Sequence, residues 1–185
     1  PMPGALRHQA KEGGEIPYPS LWQPLPGPTE QDPSMRVFLD TEFTNFNLPG
    51  LISLGLVTED GREFYAERND FLREACSPFV QAHVLPLLGR VAGASGNADE
   101  VGSRLHQWLE GLGEPVCVVY DYVDDWLLLT QALITPERLR LPVTLQSREF
   151  VPAEVVQHPT FRAAQAAVYS LDWVQHHALA DARGL

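Results

Sequence analysis

The stretch RVFLDTEFTNF, residues 36–46, joins a short apolar run to two closely spaced acids, and this combination constrains the fold. Apolar residues 37–39 predict a buried strand over residues 36–40 that ends on Asp40, and Glu42 follows with one residue between. Because side chains in a strand alternate between its two faces, Asp40 and Glu42 are expected to project from the same face. Two adjacent carboxylates at the end of a core strand repel each other and resist desolvation. Either the strand end is solvated, or something else stabilises these acids.

The composition favours one domain of ordinary size with an apolar core, because 44% of the 185 residues are hydrophobic. No apolar run approaches the roughly 20 residues that cross a bilayer, and no signal-peptide pattern opens the sequence. A cytoplasmic protein with no membrane partner is therefore expected. Cys76 and Cys117 are too few for a disulfide framework, and Cys117 in the run PVCVVY is expected to be a buried thiol.

The net charge of −11 argues against a protein that neutralises phosphates with basic stripes of its own. A polyanion can still be the substrate of such a chain if bound cations supply positive charge locally. The protein is therefore expected to bind nucleic acid only if some of its acidic residues bind metal ions.

Residues 1–34 differ in composition from the rest of the chain, since they contain eight of its sixteen prolines. Such a segment buries little surface, and we predict a flexible, Pro-rich N-terminal arm over residues 1–34 followed by one domain over residues 35–185. The alternative is an arm that docks on the domain through Tyr18, Leu21 and Trp22.

Hydrophobic spacing and turn signals predict an antiparallel meander followed by alternating helices and strands, which is an α/β fold with a mixed sheet. Asp60 and Gly61 favour a hairpin turn, and Asn97 and Glu100 fit a helix start with reciprocal capping bonds. The predicted strands are 36–40, 51–58, 62–67, 115–120 and 143–150, and the predicted helices are 78–88, 98–112, 122–134, 160–170 and a segment after residue 176.

A second group of acids lies in YDYVDDWLLL, residues 120–129, where a buried strand gives way to a helix. Asp125 has apolar residues three, four and seven positions later, so it shares the core-facing stripe, whereas Asp124 lies nearer the flank. The alternative is that both acids simply suit the positive end of the helix dipole. An acid on the apolar face needs a partner, and residues 116–137 contain no Lys or Arg. Asp125 is therefore the better candidate ligand, and Asp121 can stand beside it.

A third group lies in HHALADARGL, residues 176–185. His176 and Asp181 would diverge by about 140° on one continuous helix, given roughly 100° per residue. If both serve one site, His176 must lie just before the helix and Asp181 in its second turn. The alternative is a surface histidine together with a helix acid that pairs with Arg183 or Arg162.

The order of these three groups resembles the DEDDh 3′–5′ exonuclease superfamily, which has an RNase H-like fold. The motifs are D-T-E-F-T at 40–44, D-Y-V-D-D at 121–125 and H-H-A-L-A-D-A at 176–182, and the resemblance covers residues 36–185. Within the superfamily the chain looks most like the small mycobacterial-type exoribonucleases. The resemblance implies an RNase H-like mixed sheet, antiparallel in its first three strands and then parallel, flanked by helices.

The resemblance also implies a set of site residues. It implies that His176 is the general base for an attacking water, and that two divalent cations, Mg²⁺ or Mn²⁺, are held by four acids: Asp40, Glu42, Asp125 and Asp181. Hard cations prefer carboxylate oxygens, and such ions would offset the repulsion between neighbouring acids. A histidine, with an ordinary pKa of about 6.5, can accept a proton near neutral pH. At Asp121 many relatives have asparagine, so this chain carries one more carboxylate.

The implied activity is removal of nucleotides from the 3′ end of single-stranded RNA, which yields nucleoside 5′-monophosphates. Phe43, Thr44, Asn45 and Asp121 are the candidates for substrate contacts, and Phe43 can either stack on a base or belong to the core. Relatives are often homodimers, so a homodimer is a further expectation from the resemblance.

Three other functions remain open from the sequence. Single-stranded DNA or very short oligonucleotides would use the same chemistry, because discrimination of RNA depends on contacts to the 2′-hydroxyl. A non-catalytic nucleic-acid-binding or interaction module could keep the fold, although it would have no physical need for mutually repelling acids. A zinc hydrolase fits less well, because the two cysteines lack ligand spacing.

Overall fold

The computed structural model of the chain describes residues 34–136, 138–169 and 173–185. The predicted Pro-rich arm lies almost wholly outside the described residues, and it stays a prediction. The first strand begins at Met35. Across the described ranges, every helix falls short of the length and apolar character that a bilayer span requires.

Six strands in the described part of the chain form one sheet in the order β4-β3-β2-β1-β5-β6. β1, β2 and β3 are antiparallel neighbours, whereas β5 is parallel to β1, β6 to β5 and β4 to β3. The predicted α/β fold with a mixed sheet is confirmed, and the arrangement is consistent with an RNase H-like fold. The strands are β1 (Met35–Phe43), β2 (Leu51–Thr58), β3 (Glu63–Arg68), β4 (Ser95–Gly96), β5 (Val116–Tyr120) and β6 (Leu145–Phe150), and the helices are α1 (Pro78–His83), α2 (Ala98–Gly111), α3 (Val123–Leu133), α4 (Ala153–Val156), α5 (Pro159–Val168) and α6 (Ala178–Gly184).

The predicted elements are present, several with different ends. The predicted helix 78–88 ends at His83, because Pro86 has no amide hydrogen to donate, and a 3₁₀ turn over Leu85–Leu87 follows. β1 continues past its predicted end at Asp40 as far as Phe43. The short strand β4 was not predicted, because two residues are too few to leave an alternating pattern.

Local capping and turn signals behave as predicted. The Asn97 side chain accepts the backbone N–H of Glu100, and the Glu100 side chain accepts the backbone N–H of Asn97, so α2 begins with the predicted capping box. Between β2 and β3, Gly61 has a φ of +87°, a conformation that glycine adopts at no steric cost. Both signals are local, which explains why the sequence alone was sufficient to find them.

The side chains of β1 alternate between two covered faces of the sheet. Val37 and Leu39 are fully buried in the main apolar core, which the sheet forms with α2 and α3. Asp40 and Glu42 point to the opposite face, where α6 packs against β1 and β2. The prediction that these two acids share a face is therefore confirmed, and that face lies beneath a helix.

Gly55 allows α6 to lie directly on the sheet. A Cβ atom at this position of β2 would lie 2.5 Å from the backbone of Ala178 and Leu179, at the start of α6. Gly55 is also the residue that pairs with Asp40 across the β1–β2 ladder. The helix that carries Asp181 is thus seated next to Asp40 because the strand lacks a side chain there, a role for Gly55 that we did not predict.

Candidate functional site

Three separate segments of the chain meet at one edge of the sheet. Asp40 and Glu42 lie near the C-terminal end of β1. Asp121 follows β5, and Asp125 lies in the first turn of α3. Because β1 and β5 are parallel neighbours, their C-terminal ends open at the same edge, and the acids that follow them converge there. Asp181 reaches this edge from α6, which covers the sheet face of β1 and β2.

The ligand-capable atoms at this edge form two groups of three. In each group, one carboxylate oxygen or ring nitrogen per residue lies within 4.8 Å of the corresponding atoms of the other two. The first group contains Asp40, Asp121 and Asp125, and the second contains Glu42, His176 and Asp181. The two groups are close to each other, because the charges of Glu42 and Asp181 act on the carboxyl group of Asp40. The structure therefore brings together all five residues expected to be catalytic. Asp121, which was expected near the substrate, lies among the carboxylates.

Asp125 is held in the cluster by Thr41. The hydroxyl of Thr41 donates to Asp125 Oδ1 over 2.6 Å, and Asp125 is only 1% exposed. Asp124 is half-buried on the flank of α3, as the helical spacing predicted. The role of Thr41 was not predicted, although its position between the two acids in D-T-E places it on the opposite face of β1, towards α3.

Two carboxylate oxygens of the cluster are buried without a hydrogen-bond partner among the described residues, namely Asp40 Oδ2 and Asp125 Oδ2. A charged oxygen that is buried without a partner destabilises the folded state. These two atoms are therefore expected to bind a proton or a cation. The donor set consists of carboxylate oxygens with one imidazole, which suits Mg²⁺ or Mn²⁺ better than a thiolate-seeking ion. The residues present therefore fit divalent cation binding.

Burial and mutual repulsion raise the pKa values of these acids. Burial, followed by the charges of Asp125 and Glu42, raises the pKa of Asp40 well above its usual range. Burial, Asp181 and Asp125 raise the pKa of Glu42 to about 8. Burial raises the pKa of Asp125 to about 7 although the Thr41 hydrogen bond opposes the rise. Without cations, the cluster therefore retains protons near neutral pH.

Asp181 is fixed by two donors. Its Oδ2 accepts the backbone N–H of His176 over 2.8 Å, and its Oδ1 accepts the hydroxyl of Tyr169 over 2.5 Å. Arg183 instead contacts Glu63 through two hydrogen bonds of 2.7 Å, so the alternative of an Arg183–Asp181 pair is not supported. Because α6 begins at Ala178, Asp181 lies in its first turn and not in the predicted second turn.

His176 lies just before α6, as the angular argument required. Its φ of +69° is the only positive value for a non-glycine residue in the described ranges, a strained backbone conformation that is common at functional sites. Its ring lies nearly perpendicular to the ring of Phe79 at a centroid distance of 4.9 Å, and it lies 6.1 Å from the ring of His83. Helix α1 therefore forms one wall of the space around this imidazole.

Thr44 and Asn45 organise the loop that follows β1. Thr44 Oγ1 accepts the N–H of Gly50 over 3.0 Å, and Asn45 Oδ1 accepts the N–H of Leu48 over 2.8 Å. The side-chain amide of Asn45 also donates to the carbonyl of Ala75 over 3.0 Å. Both residues thus have structural partners, and their contact with a substrate stays a prediction.

An aromatic surface lies beside the cluster. Phe43 packs against the main core and stacks on Tyr122 with a centroid distance of 5.9 Å and an interplanar angle of 12°. Phe46 contacts both of these rings edge-on and is 73% exposed. Phe43 is therefore partly a core residue and partly the base of an exposed platform. Phe46 and Tyr122 were not predicted, because their proximity depends on the pairing of β1 with β5.

A mixed α/β sheet with carboxylates converging at one edge places this protein among α/β proteins with a candidate metal site. No protein-family model matches this chain. Two curated relatives, each a 3′–5′ exoribonuclease from a strain of Mycobacterium tuberculosis, are 49% identical to it over 55 residues. The aligned segment covers 29% of this chain and 33% of each relative, so the chain matches about a third of their length. The similarity supports a nuclease family.

Proposed function

We propose that this protein is a metal-dependent 3′–5′ exoribonuclease of the DEDDh type that removes nucleoside 5′-monophosphates from the 3′ end of single-stranded RNA. The observation that carries the proposal is the convergence of five carboxylates and His176 from three chain segments, with two buried oxygens unpaired within the described residues. The names of the two relatives support RNA as the substrate class.

The carboxylates are proposed to hold two divalent cations, Mg²⁺ or Mn²⁺. Asp40 is suited to be shared between them, because all four of the other acids act on its carboxyl group. When bound, such ions lower the pKa of water and stabilise the charge on the leaving oxygen. The proposed ligands are Asp40, Glu42, Asp125 and Asp181, with Asp121 as an additional carboxylate beside Asp40 and Asp125.

His176 is proposed to accept the proton of the attacking water. In the reaction the water oxygen bonds to phosphorus while its proton passes to His176, and the bond from phosphorus to the 3′ oxygen of the preceding nucleotide breaks. That oxygen takes up a proton from solvent as it leaves. The Asp181 carboxylate holds the His176 backbone, and Phe79 limits the ring on one side. The imidazole is thereby kept at the edge of the cluster, where a water molecule can approach it.

The aromatic surface of Phe43, Phe46 and Tyr122 is proposed to bind the bases near the 3′ end. Stacking of a base on an aromatic ring contributes about 1–3 kcal/mol in single-strand binders and requires little base specificity. Phe46 offers the most accessible ring, and Phe43 and Tyr122 support it by their own ring contacts. Thr44 and Asn45 hold the loop that presents Phe46, which gives them a part in substrate binding without direct contact.

Incubation of the protein with 5′-labelled RNA and DNA strands of the same sequence, with Mg²⁺, Mn²⁺ or EDTA, tests the proposal. We expect a ladder that shortens from the 3′ end, on RNA, and only with metal. The Asp40→Asn variant is the matched control for a contaminating nuclease. Shortening of DNA or of very short oligonucleotides alone would move the substrate assignment to those polymers. Binding without cleavage would instead indicate a non-catalytic module.

A further inference from the structure

Tyr169 reaches the carboxylate cluster from outside the three motifs. It follows the last residue of α5, and its hydroxyl donates to Asp181 Oδ1. The other oxygen of Asp181 accepts the backbone N–H of His176. Asp181 therefore has a donor on each oxygen, whereas Asp40 and Asp125 each keep a buried oxygen that lacks a partner in the described residues.

Helix α5 lies at the periphery of the fold. None of its ten residues is fully buried, although Phe161, Gln165 and Val168 are partly covered. It packs on α6, where a Cβ atom on Gly184 would lie 2.8 Å from Cγ of Gln165. Gln165 therefore packs closely on α6, and Tyr169, which directly follows α5, donates a hydrogen bond to Asp181 of α6. Asp181 is a proposed metal ligand.

We propose that Tyr169 is a positioning residue of this centre, whose hydroxyl holds Asp181 in the orientation in which the carboxylate binds a divalent cation. The inference rests on the proposed function, because it concerns the same cluster. A phenol keeps its proton at neutral pH, so it can donate to the carboxylate without adding a charge, and the accepting oxygen keeps a second lone pair for an ion. A ligand that is oriented in advance loses less freedom when the ion binds.

The Tyr169→Phe variant of the full chain tests the inference, because it removes the hydroxyl and keeps the ring. We expect Mn²⁺ affinity, measured by titration calorimetry, to fall about tenfold, as for a lost hydrogen bond to a charged group. Turnover of 5′-labelled RNA should fall with it, while KM stays near the wild-type value. The Gln165→Ala variant is the control, since it weakens the packing of α5 on α6 without touching Asp181.

A readout without metal separates this inference from the proposed function. The amide resonance of His176 in ¹⁵N-labelled, metal-free protein reports its hydrogen bond to Asp181, and it should shift in Tyr169→Phe but not in Gln165→Ala. A wild-type chain that binds Mn²⁺ but cleaves no RNA would refute the nuclease, while the Mn²⁺ affinity and the amide shift would still test the positioning role. Unchanged Mn²⁺ affinity in Tyr169→Phe overturns that role, whether or not the resonance shifts. Tighter Mn²⁺ binding also overturns it, because the hydroxyl would then compete with the ion.

Discussion

Thr41 and Asp125 are 84 positions apart in the sequence, and the hydroxyl of Thr41 donates to the Asp125 carboxylate over 2.6 Å. The bond joins the end of β1 to the first turn of α3. One strand therefore presents Asp40 and Glu42 on one face and fixes a third acid from the other. Thr41, which lies between Asp40 and Glu42 in the sequence, thus fixes the position of Asp125 from a distant segment.

The Thr41→Val variant should lower both stability and Mn²⁺ affinity, because it removes a hydroxyl donor from a buried carboxylate whose other oxygen has no partner in the described part of the chain. The expected loss of stability is about 1–3 kcal/mol, measured by urea unfolding of the metal-free protein. Thr41→Ser keeps the hydroxyl and should retain most of both properties. Wild-type Mn²⁺ affinity in Thr41→Val would show that the bond does not support the cluster.

Asp125→Asn should abolish most hydrolysis, whereas Asp124→Asn should remain close to wild type. Asp125 is buried beside Asp40 and Asp121, while Asp124 lies on the flank of α3. Each variant removes one negative charge from adjacent positions of one helix turn, so they control for each other. Turnover of 5′-labelled RNA with Mn²⁺ measures the difference, and a near wild-type Asp125→Asn would reverse the assignment.

His176→Ala should retain Mn²⁺ binding and lose hydrolysis by about 10²–10⁴-fold, the usual contribution of a positioned general base. Calorimetry and a turnover assay separate the two properties. If Mn²⁺ affinity fell together with turnover, the imidazole would be a metal ligand, which its distance to Glu42 and Asp181 also permits. Unchanged turnover would exclude a role as the base.

Gly55→Ala should destabilise the fold by about 1–3 kcal/mol, because the added methyl group forces α6 away from β2. Asp181 would move with the helix, so hydrolysis should fall further than the loss of stability explains. Gly111→Ala is the control, since a Cβ atom there meets nothing within 4 Å. That variant should be neutral or slightly stabilising. Equal thermal stability of the Gly55→Ala and Gly111→Ala variants would contradict the close approach of α6 to β2.

Stability of the metal-free protein should fall as pH rises from about 5 to about 8. The pKa of Glu42 is about 8 and that of Asp125 about 7 in the folded protein, above their ordinary values of 4.5 and 3.8. The folded state therefore binds more protons than the unfolded state in this range, and ionisation favours unfolding. Saturating Mg²⁺ should remove or reverse the trend, because it binds the ionised acids. Thermal melts across this range with EDTA or Mg²⁺ measure the effect.

The sequence was sufficient wherever the physical signal was local. The helical spacing of Asp125 and its apolar neighbours separated it from Asp124, and the angular argument placed His176 before a helix. The alternation of Asp40 and Glu42 predicted their common face. In each case the geometry of a single element fixes the outcome, so no knowledge of its neighbours was needed.

The remaining features depend on which elements become neighbours. Tyr169 contacts Asp181 only because α5 packs on α6, and Gly55 matters only because α6 crosses β2 at that position. Phe46 and Tyr122 meet because β1 and β5 pair in parallel. A glycine inside the apolar run LISLGLVT was the one visible sign of such a close approach.

The seating of α6 on β2 also has a consequence for biosynthesis. The strand that bears Asp40 and Glu42 leaves the ribosome long before α6, and only the later helix brings Asp181 to it. A nascent or half-folded molecule therefore carries some of the acids without the full carboxylate cluster. Under the proposed function, cleavage of RNA is expected only after α6 has packed on the sheet.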